Sequence, residues 1–151
     1  MGERLALLYA SASRDEAALL DTLTRLRVFR QDGVDVRSLA CFLARRRDEA
    51  AGDLSDARIR RLADEGSLVL LALAARSPSL EVRAAALGVR DGPLPALVGG
   101  SDALGAGFVP GPAMGEALAR VREAQLEGEV ATAEDARALL TTLAHSASGR
   151  A

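Results

Sequence analysis

Leucine and alanine recur through this chain at helical spacing, and the recurrence is cut at short intervals by Ser or Asp on one side and Gly on the other. That punctuation restricts the fold more than any other feature, because each apolar stripe is too short to stand alone and must find a neighbouring helix. Leu19, Leu20, Leu23 and Leu26 mark one helix running to about Val28, with Ser13 and Glu16 spaced as a capping box. After Gly33, Asp35 can cap a helix whose apolar face is Val36, Leu39, Ala40 and Leu43 and which ends in the run Arg45, Arg46, Arg47. Ser55 opens a helix carrying Ile59 and Leu62, and Gly66 closes it. Residues 68–75 are apolar all round, as a buried central helix would be. Ser77 and Pro78 start another helix, closed by Gly88.

Aromatic residues make up only 3% of the 151 residues while 49% are apolar, so the core is expected to be close-packed helix rather than strand. The expected architecture is all-α: a compact helical body over residues 1–88, an ordered Gly/Pro-rich connection over 89–111, a C-terminal helical pair over 112–144 and a frayed terminus over 145–151. Within the pair, Pro112 suits a first helical turn and Gly111 the bend before it. Met114, Leu118, Val121 and Gln125 share a face, and Gly115 reads as a point where another backbone approaches. Gly128 ends that helix, and Thr132 with Asp135 begins the last one, which bears Leu139, Leu140 and Leu143.

One cysteine, Cys41, and one histidine, His145, exclude an internal disulfide and leave too few soft ligands for a structural zinc site, so no metal or cofactor is expected. The longest apolar run is far shorter than the roughly 20 residues of a membrane span, and the N-terminus lacks the layout of a signal peptide. The expectation is a soluble, cytoplasmic protein. The net charge of −2 gives no global attraction to a polyanion, yet every basic side chain is arginine and several are bunched: Arg25, Arg27 and Arg30; Arg45, Arg46 and Arg47; Arg58, Arg60 and Arg61. Solvated helix faces explain such clusters; arginine's planar fork also suits phosphate, as does a helix N-terminus with unsatisfied N–H groups.

The stretch PLPALVGGSDALGAGFVPGPAMGEALARVREAQLEGEV resembles the C-terminal region of the bacterial tRNA nucleotidyltransferase and poly(A) polymerase family, which includes the CCA-adding enzymes. The residues that match the family's pattern are Gly100, Asp102, Gly107, Pro110, Gly111, Pro112, Met114, Gly115, Leu118, Gln125 and Gly128, with Ala103 where the family has Leu. Weaker similarity covers RLALLY at 4–9, LTRLRVFRQD and LSDARIRRLADE at 54–65. The family's chemistry uses an Asp-x-Asp in an N-terminal head, where two metal ions bridge the attacking hydroxyl and the triphosphate. These 151 residues contain no Asp-x-Asp, so they are expected not to catalyse on their own.

What the resemblance implies is a body and tail that hold tRNA or another structured RNA by shape and backbone, with a nucleotidyltransferase head in cis or in trans. Arg58, Arg60 and Arg61 are the first candidates for phosphate contact, followed by Arg120 and Arg122. Pairing with Asp56, Glu116 or Glu123 is the competing reading for each. The alternative function is a helical protein-interaction module that docks onto a separate head or another subunit.

Overall fold

The computed structural model describes residues 1–13 and 15–148. Among them the chain forms nine helices and one two-stranded hairpin, so the protein is all-α. It divides into two compact units, residues 1–94 and 95–151. This boundary moves the expected one at residue 88 and absorbs most of the expected connection into the second unit.

The first unit comprises α1 (Gly2–Ala12), α2 (Glu16–Arg25), β1 (Arg30–Gln31), β2 (Val34–Asp35), α3 (Val36–Ala50), α4 (Asp56–Glu65), α5 (Leu68–Ala75) and α6 (Pro78–Ala86). Helix α3 is its hub, packing against α1, α2 and α5. It begins where Asp35 accepts the Ser38 N–H at 2.9 Å, and Val36, Ala40 and Leu43 on its expected apolar face are buried while Leu39 is half-buried. Ser55 and Ser67 cap α4 and α5 in the same manner, accepting N–H bonds from Arg58 and Leu70.

Three local expectations for this unit need correction. The N-cap of α2 is Asp15, whose carboxylate accepts from the Ala17 and Ala18 N–H groups at 2.9 and 3.3 Å, while the Ser13 hydroxyl is engaged with the Asp15 backbone. An ionised acceptor placed directly before the first turn outcompetes a hydroxyl two residues further back. The same helix stops at Arg25 and does not reach Val28, because Arg27 turns left-handed (φ 55°) and the Val28 N–H closes back onto the Leu23 carbonyl at 2.9 Å. Helix α5, for its part, is not buried all round: Leu68, Leu70 and Leu71 face the core but Leu73 is exposed.

Gly66 has a steric task. A Cβ there would lie 2.7 Å from Cε1 and 2.8 Å from Cδ1 of Phe42, a core ring only 4% exposed. The absent side chain lets the α4–α5 junction close over that ring. Gly88 has a conformational task, holding φ at +71° while its N–H and that of buried Val89 bond the carbonyls of Ala85 and Ala84.

The second unit comprises α7 (Gly100–Gly105), α8 (Pro112–Glu127) and α9 (Ala133–Ser148) around buried Ala103, Val121, Ala136 and Leu140. The stretch expected to be a connection therefore holds a helix, and its Leu97, Val98 and Phe108 join this unit's core. Ala103 is completely buried. Helix α9 starts at Thr132 as expected, whose hydroxyl accepts the Asp135 N–H at 3.2 Å. It continues through the residues expected to fray as far as Ser148; residues 149–151 of that expectation lie outside the described residues.

Gly66→Ala is expected to lower the unfolding free energy by about 1–3 kcal/mol, the usual range for overpacking a filled core. Urea denaturation of variant and parent measures it, and coincident curves would show that the Phe42 ring moves aside without cost.

Candidate nucleic-acid interface

The arginine clusters resolve into two populations once partners are assigned. Arg58 does not face outward. Its Nε and Nη2 bind both carboxylate oxygens of Glu49 on α3, Nη2 at 2.9 Å, and its Nη1 reaches Glu65 at 3.4 Å. Arg46 completes the square, with Nε 2.7 Å from Glu65 and Nη1 3.2 Å from Glu49. Hydrogen bonding from Arg58 holds the Glu49 carboxyl below the usual carboxylate range, and the same bonds raise the Arg58 guanidinium pKa. All four side chains are about 27–32% exposed, so the network is screened only in part. Arg58, the leading candidate for phosphate contact, is thus placed as a strut between α3 and α4.

Arg60 and Arg61 on α4 are half-buried and already engaged in polar interactions. Arg47 is committed too: its Nη1 donates to the Ala10 carbonyl near the end of α1 at 2.7 Å, and its side chain is only 11% exposed. Arg45 lies 3.6 Å from Glu16, Arg83 bridges Asp53 and Asp56, and Arg90 holds Glu81 and Asp91. Most of these partners lie on other helices or loops, so counting residue spacing along one helix could not find them.

In the second unit Asp102 and Gln125 organise the stretch that carries the family resemblance. Asp102 accepts the Gly99 N–H at 3.0 Å, capping α7, and takes the Arg137 Nε of α9 at 2.8 Å. Arg137, then the Gly99 bond, holds its carboxyl below the ordinary range. Gln125, 7% exposed, donates to the Pro95 carbonyl at 2.9 Å and accepts from Arg122 at 2.9 Å. Arg122 is therefore a half-buried positioning group, whereas Arg120 is exposed. Met114 and Leu118 are half-buried against the core and Val121 is buried, as their shared face predicts.

The glycines of this stretch separate by cause. Gly107 (φ 98°) and Gly128 (φ 85°) end α7 and α8 in left-handed conformations that favour glycine. Gly115 does not mark a close approach, contrary to the sequence expectation: it is exposed, and a Cβ added there would meet no described atom within 4 Å apart from its chain neighbours and its own helix backbone. Gly111 is exposed and extended, with no described atom nearer than 4.0 Å to such a Cβ, and at Gly100 only the Met114 methyl comes as close as 3.9 Å. Gly111 precedes Pro112, the first residue of α8, and this helix start has no side-chain cap. Val109, Pro110, Gly111, Pro112 and Ala113 are all exposed.

Among the described residues no group of His, Cys, Asp and Glu could hold a metal ion, and no helix is long and apolar enough to cross a membrane. The chain matches no protein-family model, no curated protein and no solved structure.

Arg58→Ala removes one cation from a network of two arginines and two glutamates. It is expected to destabilise the fold by about 1–2 kcal/mol, above the value of a lone exposed pair because two carboxylates lose their shared partner. A melting temperature equal to that of the parent would return Arg58 to the solvated class.

Proposed function

We propose that the chain is the RNA-holding, non-catalytic body and tail of a tRNA nucleotidyltransferase-like or poly(A) polymerase-like protein, working with a nucleotidyltransferase head in cis or in trans, in the cytoplasm. The observation that carries this reading is Gly115. A glycine inside a helix costs about 1 kcal/mol relative to alanine. Nothing described within the unit uses the space that glycine leaves. Together with Gly111 it strips side chains from both ends of α8's uncapped first turn, on an exposed surface. A ligand that needs close contact with backbone N–H groups supplies the missing reason, and a phosphodiester at a helix N-terminus is such a ligand.

Arg120, exposed further along α8, is the candidate cation best placed to add charge to that contact. Arg122 supports it indirectly by orienting Gln125. Recognition of this kind reads phosphate and sugar, which is how A-form RNA is held. The near-neutral charge limits the affinity that long-range attraction can add.

Two measurements test the reading. Gly115→Ala is expected to raise the unfolding free energy by about 0.5–1 kcal/mol while weakening binding of a tRNA minihelix several-fold. Arg120→Ala should flatten the dependence of log affinity on log salt by about one ion. Gly115→Ala with parental RNA affinity, or a parent that binds no minihelix at low salt, overturns the proposal and moves the protein-interaction alternative ahead. In a separate assay, the chain with Mg²⁺, CTP, ATP and a tRNA lacking its 3′ end is expected to add no nucleotide; incorporation by a preparation free of host enzyme would reveal a catalytic site.

A further inference from the structure

The first unit carries an exposed aromatic ring on a stiff mount beside arginines that the fold does not consume. Phe29 precedes the hairpin β1–β2 and is 47% exposed. The Arg37 guanidinium lies over its ring, 5.6 Å from the centroid, which orients the ring and leaves the rest of its surface to solvent. Arg27 and Arg30 stand on either side of it in sequence, and both are exposed.

The mount is well fixed for a surface turn. Asp32 (φ 51°) and Gly33 (φ 81°) form a two-residue loop with both dihedrals positive, the turn that matches strand twist. The Val36 N–H bonds the Phe29 carbonyl at 3.1 Å and ties the ring's backbone to the start of α3. From behind, α1 abuts the hairpin so closely that a Cβ on Gly2 would fall 2.5 Å from the Gln31 carbonyl oxygen. Arg27 holds a left-handed conformation that is strained for an L-residue and free for glycine. Helices α6, α7 and α8 all place glycine at the corresponding position, namely Gly88, Gly107 and Gly128. Arginine takes it at the ends of α2 and α5, Arg27 and Arg76, and the Arg27 side chain stands exposed beside Phe29 in sequence.

The acids nearby offset this surface in part. Asp35 is capped by the Ser38 N–H and hydroxyl and its carboxylate also acts on Arg37 and Arg30, Asp32 lies 3.2 Å from the Met1 amine, and Asp21 lies 3.8 Å from Arg25. A pre-oriented ring with one face against a guanidinium and arginines on both sides is complementary to an unpaired nucleotide: the base stacks on the ring and the flanking phosphates take the arginines.

We infer that Phe29, with Arg27, Arg30 and Arg37, forms a second RNA contact that holds an unpaired nucleotide, and this rests on the RNA reading above. The test uses the full chain and two fluorescently labelled minihelices, one blunt and one with a four-nucleotide single-stranded 3′ overhang, followed by anisotropy. The parent should prefer the overhang. Phe29→Ala should weaken overhang binding at least about five-fold, the low end for losing one stacked base, and leave blunt binding unchanged. Phe29→Leu, which keeps apolar bulk without the π face, should lose the same preference and guards against misfolding of the alanine variant. Arg27→Gly should melt at or above the parental temperature while binding the overhang more weakly with a shallower salt slope. A parent that binds both RNAs equally, or Phe29 variants that bind the overhang like the parent, overturns this inference and leaves the RNA reading standing. A parent that binds neither RNA at low salt overturns both.

Discussion

Alanine at helix crossings sets the geometry on which the first unit depends. Helices α1 and α3 pack together, and Ala6 and Ala10 on one and Ala40 and Ala44 on the other are buried in the same core. Small side chains bring backbones together but supply little apolar area for each residue. With few aromatic rings in the chain, position along and around the helices has to be set by directional contacts at their ends and flanks. The Asp15, Asp35, Ser55 and Ser67 caps supply part of that, and the arginine pairs supply the rest.

Arginine therefore has two roles here. Arg46 and Arg58 join α3 to α4, Arg83 reaches the loop and start of α4, and Arg137 binds α9 to α7 through Asp102. In these places the planar fork provides several fixed donors where a lysine would provide a point charge. Arg27, Arg30 and Arg120, by contrast, extend into solvent. If these exposed arginines bind RNA as proposed, each unit's contact would leave its own ion pairs intact.

Helix starts are legible in the sequence because their chemistry is local. Asp35, Ser55, Ser77 and Thr132 each sit directly before an apolar stripe, and helices start there. Ends at Gly88 and Gly128 are legible for the same reason. The ends at Arg27 and Arg76 are not, since a left-handed arginine leaves no trace in composition and is imposed by the path of the next segment. Helix α7 is hidden because six residues with glycine at both ends have the texture of a loop; Ala103 and Phe108 reveal it only through burial in their unit. At the candidate site, the clusters of arginine are visible but their allegiance is not: Glu49 and Arg58 meet across two helices. Gly115 stands out in sequence, but its cause is misread there, because a glycine that admits another part of the protein and one that faces open space look alike in one dimension.

The Arg47 guanidinium, held against the Ala10 carbonyl, makes the end of α1 depend on α3. The last carbonyls of a helix have no partner within it, and α1 draws one of its partners from a residue 37 positions downstream. Without α3 that carbonyl has only water to bond, so within the first unit the α1–α3 pair, rather than α1, is the smallest piece that gives this end of the helix a protein partner.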